Sequence, residues 1–275
     1  MIHIDLNTKL KLNNSVEIPY LGLGTYNIRS QKEVDRAIHS ALEIGYRLLD
    51  TAAAYYNEKE IGKALKNSSV SREEIFITTK LDNYDHGYQN TLKAFDESLK
   101  KLDCGYIDLY LIHWPVQKRN ESWKAMEELL YQNKCRAIGV CNYTVRHLKE
   151  LRGNTSTVPA INQVEFNPFV FPKEIYDYCN SNNIVVEAYT PIARNRKSDH
   201  PLIKELSGKY KKTPAQLMLR WSVQHKAIVI PKSSNPDRIK ENSDIFDFNI
   251  SDEDMSKLNS LNEDLRFSAD PDNYN

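Results

Sequence analysis

Four side chains in the first half of the chain have the chemistry to place a proton on an oxygen: Asp50, Tyr55, Lys80 and His113. A carboxylate beside a lysine holds its ammonium. An ammonium beside a phenol favours the phenolate and so lowers the tyrosine pKa from about 10. A shift of about 2 units takes about 2.7 kcal/mol of differential interaction, within reach of a partly buried cation. A tyrosine tuned in this way donates to a developing alkoxide near neutral pH. A histidine bonded to the same oxygen orients the carbonyl. None of the four supplies a hydride, so that task falls to a cofactor. Taken singly, each also has a plain structural reading. Asp50 serves as a helix cap, Lys80 is solvated, His113 before Trp114 is a satisfied buried ring, and Tyr55 is a loop aromatic. The chemical reading requires one place that collects them.

The surrounding elements define that place. Short β-branched or apolar runs alternate with amphipathic stretches. The first run ends near Gly22-Leu23-Gly24, and others occupy 47–50, 75–80, 107–113, 137–141, 161–165, 184–188 and 227–231. Between them, Val34, Ala37, Ile38, Ala41 and Leu42 fall at helical spacing, as do Ile61, Ala64 and Leu65, then Leu92, Phe95, Leu99 and Leu102, then Trp123, Met126, Leu129 and Leu130. Further helices are expected at 144–151, 172–182 and 213–226. Eight apolar strands separated by helices indicate a parallel sheet. In 275 residues they predict one (β/α)8 TIM barrel spanning residues 1–275. Residues 3–18, turning at Asn13-Asn14, read as a β-hairpin capping the barrel floor. An open doubly wound sheet would carry GxGxxG after its first strand, whereas this strand is followed through GLGTYN. In a barrel, function gathers at the carboxyl ends of the strands. Those ends carry Thr25-Tyr26, Asp50, Lys80, His113, Cys141-Asn142, Gln163 with Glu165, Tyr189, and Lys232-Ser233.

Composition removes other classes. Lys plus Arg number 37 and Asp plus Glu 37, a net charge of zero that gives no electrostatic case for nucleic acid or an anionic membrane. No apolar run approaches the roughly 18 residues of a membrane span, and the opening MIHIDLNTKLKLNN has no basic segment followed by an apolar core, so a cytoplasmic location is expected. Cys104, Cys135, Cys141 and Cys179 are scattered, as reduced thiols would be. No metal is expected, because the first strand lacks the His-x-His of barrel hydrolases. Asp50 and Glu165 are not paired by a glycosidase motif.

With these residues in place, the chain resembles the aldo-keto reductase family in its shorter, microbial-type form. GYRLLDTAAAYYNEKEIG (45–62) is similar to the family's first signature, with Asp50 followed five residues on by Tyr55 and the tail of the pattern from Glu58 to Gly62. ITTKL (77–81), DLYLIHWP (108–115) and IPKSSNPDRIKEN (230–242) resemble its lysine strand, histidine strand and cofactor signature. The resemblance implies a (β/α)8 barrel that binds NADPH extended across the cup, with Asp50, Tyr55, Lys80 and His113 as catalytic tetrad and Tyr55 as proton donor. It implies that Asn142, Gln163 and Cys141 hold the nicotinamide amide. Cys141 stands where the family has serine, which softens one contact because a thiol is a weaker donor. Tyr189 would stack on the nicotinamide, and Gly24, Thr25, Tyr26, Asp50, Thr190, Pro191 and Ile192 would also contact the cofactor. Lys232, Ser233 and Arg238 would hold the 2′-phosphate, and Glu241 and Asn242 the adenine. Arg194, Arg196 and Lys197, in TPIARNRKSDH (190–200), would either meet phosphate or serve solubility.

The implied reaction is reduction of an aldehyde or ketone, or the reverse oxidation of an alcohol or sugar, on a small-molecule substrate bound by Tyr26, Tyr55, His113 and Trp114. The alternative is an NADPH-binding sensor barrel with little turnover. The short loop WPVQKRNES and a tail ending at Asn275 lead to the expectation of a relatively open pocket. A monomer is the family default.

Overall fold

A computed structural model describes residues 4–274. Two short strands, β1 (Lys9–Lys11) and β2 (Glu17–Pro19), pair antiparallel, with Leu10 opposite Ile18. Eight parallel strands follow: β3 (Leu23–Gly24), β4 (Leu48–Asp50), β5 (Phe76–Leu81), β6 (Ile107–Ile112), β7 (Cys135–Cys141), β8 (Ile161–Glu165), β9 (Val185–Tyr189) and β10 (Ile228–Val229). Each pairs with the next in sequence. The sheet closes on itself through parallel bridges from Leu21 to Val229 and from Gly24 to Lys232. Gly22 N donates to Val229 O at 2.9 Å, and Val229 N to Tyr20 O at 2.9 Å. Closure needs a glycine: a Cβ on Gly24 would lie 2.7 Å from the Ile230 carbonyl oxygen. This is the expected (β/α)8 barrel.

The helices form where the apolar spacing places them. In α1 (Gln31–Ile44), the Ser30 side chain accepts from Glu33 N, and Val34, Ala37, Ile38, Ala41 and Leu42 are buried as one stripe. Gly45, at φ 113°, ends it in the left-handed region. Helix α2 (Glu58–Lys66) lies so close to α3 (Tyr88–Leu102) that a Cβ on Gly62 would sit 2.4 Å from the Leu102 oxygen. Gly62→Ala is therefore expected to destabilise the fold by about 1–3 kcal/mol through overpacking. A thermal melt should fall by several degrees, and an unchanged melt would show that these helices part freely. Helices α4 (Arg119–Tyr131), α5 (Val145–Asn154) and α6 (Lys173–Ser181) continue the ring. So does α8 (Pro214–Gln224), opened by a Thr213–Gln216 capping box.

Helices α7 (Pro201–Tyr210), α9 (Pro236–Ser243) and α10 (Asp252–Asn259) lack a sequence expectation above. The last two have eight residues each and bury only two apiece, Ile239 with Asn242 and Asp254 with Leu258, so no apolar periodicity marks them. Strand limits differ from expectation by a residue or two. The largest change is β10, which stops before Pro231.

The opening hairpin lies at the floor, as expected, with its second strand running on to Pro19 and with residue 3 outside the described residues. Asn13 Nδ2 donates to Pro159 O (3.0 Å) and Asn14 Nδ2 to Arg136 O (2.9 Å), both carbonyls at the amino-terminal ends of strands. Leu12 and Ile18 plug the interior against Leu48, Phe76, Leu109 and Ile161. The floor is thereby sealed, and the carboxyl ends are the open face. Among the described residues no helix is long and apolar enough to cross a membrane.

Candidate active site

Register brings the charged pair together. Asp50 on β4 aligns with Thr78 on β5, and Lys80 follows two residues on, with its side chain on the same face of the strand. The Lys80 ammonium donates to Asp50 Oδ1 at 2.6 Å, Asp50 Oδ2 at 2.8 Å, Thr51 O at 2.8 Å and the Tyr55 hydroxyl at 3.4 Å. Lys80 is wholly buried. Burial, the largest single influence, works against its charge, but the Asp50 carboxylate together with Tyr55 and Cys141 outweighs it and holds the Lys80 pKa above its ordinary value. Tyr55 ends a single 3-10 turn, Ala53–Tyr55, that lays its ring between Tyr26 (centroids 5.1 Å apart) and His113 (5.8 Å).

The charge balance corrects one expectation. Lys80 does pull the Tyr55 pKa down, but burial outweighs it, and the phenol is pushed up to about 12 rather than lowered. Burial, then Lys80, drives His113 down to about 3, so its ring is neutral at physiological pH and can donate one hydrogen bond.

Above the pair opens a cavity of about 670 Å³ lined by Gly24, Tyr26, Asp50, Tyr55, His113, Trp114, Asn142, Gln163, Tyr189, Thr190, Pro191 and Ile192. It continues past Ile192, Asn195 and Lys232 into a groove of about 230 Å³ that reaches Ser233, Arg238, Glu241 and Asn242. Two expected contacts do not reach either space. The Thr25 hydroxyl is spent on the Asp50 carbonyl (2.9 Å), and Cys141 faces the packed barrel interior beside Leu109 and Leu111. The Cys141 thiol is pushed well up by burial.

The polar groups around the cavity are already oriented. Asn142, at φ 61°, donates to His113 O (3.0 Å) and accepts from the Tyr189 hydroxyl (2.8 Å). Gln163 Nε2 donates to Asp50 Oδ2 (2.8 Å) and to Glu187 Oε2 (2.8 Å). Glu187 has no place among the sequence-derived site residues. Its one signal is a carboxylate breaking the apolar run Val185-Val186 before Ala188. Burial, then Asp50, pushes it up to about 8.

The chain's tail also belongs to the site. Ser268 and Ala269 line the cavity, and Tyr274 stacks on Trp114 with ring centroids 4.8 Å apart. Glu165 anchors this strap, accepting from Phe267 N (3.0 Å), Ser268 N (3.3 Å) and the Thr190 hydroxyl (2.8 Å). The pocket is therefore walled on the side expected to be open. Of the three cations in the loop after β9, Arg194 lines the cavity, whereas Lys197 pairs with Glu263 (2.8 Å) and Arg196 lies over the Phe267 ring.

The sequence pattern of the Aldo/keto reductase family matches residues 20–263. The chain belongs to the aldo/keto reductase family. This reductase is 45% identical over 268 residues to the glyoxal reductase of Bacillus subtilis (strain 168), covering 97% of both chains. It is 44% identical over 272 residues to a methylglyoxal reductase of Escherichia coli (strain K12), covering 97% of this chain and 98% of that one. Its fold superposes with a TM-score of 0.91 on the Bombyx mori aldo-keto reductase solved in complex with NADP, at 35% identity, covering 98% of this chain and 97% of that one.

The reductase's groove suits such a dinucleotide. Lys232 and Arg238 are exposed along it, and neither takes part in an ion pair among the described residues. Two uncommitted cations in one groove fit a phosphate. Glu241 is partly committed elsewhere, accepting from the Thr213 hydroxyl at 2.6 Å.

Proposed function

We propose that this aldo/keto reductase is an NADPH-dependent enzyme that reduces small aldehydes and α-dicarbonyls to alcohols, with Tyr55 as proton donor. The observation that carries the reading is the buried Asp50–Lys80 pair set against the Tyr55 hydroxyl beneath the cavity. When bound, NADPH supplies the hydride to the carbonyl carbon. The chain's own groups do the rest. His113, neutral, donates to the carbonyl oxygen and orients it. Tyr55 delivers its proton to that oxygen as negative charge develops there. Lys80 stabilises the phenolate left behind, and Asp50 keeps Lys80 charged and aimed. Asn142 and Gln163 would hold its carboxamide, Tyr189 would pack on the nicotinamide ring, and Lys232, Ser233 and Arg238 would hold the 2′-phosphate. Tyr26, Trp114 and the tail shape a pocket for a small substrate, in keeping with relatives named for glyoxal and methylglyoxal.

The test follows absorbance at 340 nm with methylglyoxal and an aromatic aldehyde, using NADPH and NADH in parallel. Rapid turnover with NADPH is expected. Tight NADPH binding without reduction of any carbonyl in a broad panel would instead indicate a sensor. The phosphate assignment has its own prediction. In a Lys232→Ala/Arg238→Ala variant, the KM for NADPH should rise about 10- to 100-fold through loss of charge-assisted bonds, while the KM for NADH stays within about twofold. Equal losses for both cofactors would remove the 2′-phosphate from this groove.

A further inference from the structure

Glu187 is fully buried inside the barrel, opposite Gln163 on β8 and Ile228 on β10. Its partner Gln163 has two amide hydrogens, and both are committed. One goes to Asp50 Oδ2 and the other to Glu187 Oε2, each at 2.8 Å. An amide held this way resists a flip, because its oxygen would then face the Asp50 carboxylate, which can only accept. The polar atom of Gln163 left for the cavity it lines is Oε1, an acceptor. Asn142 is set in the complementary sense. Its Oδ1 is taken by Tyr189, and its Nδ2 gives one hydrogen to His113 O, leaving one to donate. The subsite thus offers one acceptor and one donor, the complement of a primary carboxamide.

We infer that Glu187 is a positioning residue that locks the Gln163 amide with its oxygen toward the cavity, so that the site accepts a hydrogen bond from the nicotinamide carboxamide. This inference rests on the proposed cofactor. Asp50 alone fixes one hydrogen and leaves the amide free to rotate about that bond. Glu187 removes the freedom. The remaining walls around it offer no substitute: Leu109 and Leu111 on β6 and Ile228 on β10 are apolar, Lys80 on β5 is taken by Asp50, and Cys141 is a weak donor.

The experiment compares Glu187→Leu and Glu187→Gln with the wild-type protein. Protein fluorescence is titrated with NADPH and with 2′-phospho-ADP-ribose, which keeps the phosphates and adenine but lacks the nicotinamide. In Glu187→Leu the Kd for NADPH should rise about tenfold, the scale of one well-made hydrogen bond, and that for 2′-phospho-ADP-ribose should stay within about twofold. Glu187→Gln, whose carbonyl accepts the same bond from Gln163, should stay within about twofold for both ligands. Equal weakening of both ligands in Glu187→Leu would overturn the inference, since it would mark a general packing role. Unchanged NADPH binding in Glu187→Leu, or a Gln variant as weak as the Leu variant, would overturn it too. Wild-type protein that binds 2′-phospho-ADP-ribose or NADPH not at all would overturn the cofactor reading itself, a result distinct from the others.

Discussion

Tyr55→Phe should lower kcat for carbonyl reduction by about 1,000-fold, within the range that a positioned general acid contributes, and leave the Kd for NADPH within about twofold. Phenylalanine keeps the ring between Tyr26 and His113 and removes only the hydroxyl beside Lys80. Stopped-flow or steady-state loss of 340 nm absorbance measures it. Activity within tenfold of wild type would pass the role to His113 or to water.

The pH profile gives the same assignment a second test. The acid must be protonated to work, so reduction fails as pH rises through its pKa. Burial pushes Tyr55 up to about 12, and His113 is held near 3. Between about pH 6 and 9, kcat should therefore show no limb from either of these two groups. A decline centred near 7 would point to a different acid.

The second large effect is expected from Lys80→Met. Removing one partner of a buried ion pair leaves the other charged and unsolvated, at a cost of about 3–5 kcal/mol. Asp50 would keep its bond from Gln163 but lose both contacts with the ammonium. Thermal unfolding should come about 10 °C lower, and reduction should be lost, because no cation remains to stabilise the Tyr55 phenolate. Adding Asp50→Asn should restore most of the stability and none of the activity. That split separates the pair's structural cost from its chemical use. A single variant that melts like wild type would mean that water enters to solvate Asp50.

The grouping of Asp50, Tyr55, Lys80 and His113 was legible because a barrel gathers strand ends, and Asp50, Lys80 and His113 each close or follow an apolar run. Their chemistry was only half legible. The sign of the Lys80 influence on Tyr55 follows from charge, but the net shift depends on burial, which no spacing encodes. Cys141 shows a similar limit. Its position in sequence matches a ligand-holding serine, yet its place at the strand's end turns it inward. Glu187 lies within a strand, where sequence reading expects packing residues. The role of the tail was least legible. Phe267 to Tyr274 have no periodicity and are held by Glu165 and Trp114, partners more than 100 residues away.

The strap formed by Ser268, Ala269 and Tyr274 divides the labour of the molecule. Asp50 and Lys80 sit on strands, where a substitution disturbs a packed interior, and Tyr55 and His113 lie just past strand ends. Part of the pocket wall sits on a segment draped over the rim, fastened by the Glu165 carboxylate, the Trp114 ring stack and the bonds of Arg146 and His147 to the Tyr274 carbonyl. Changes there are expected to leave the reaction intact and alter which substrates are accepted. A barrel arranged in this way can acquire new substrates by drift in its last residues, at little risk to the chemistry it already performs.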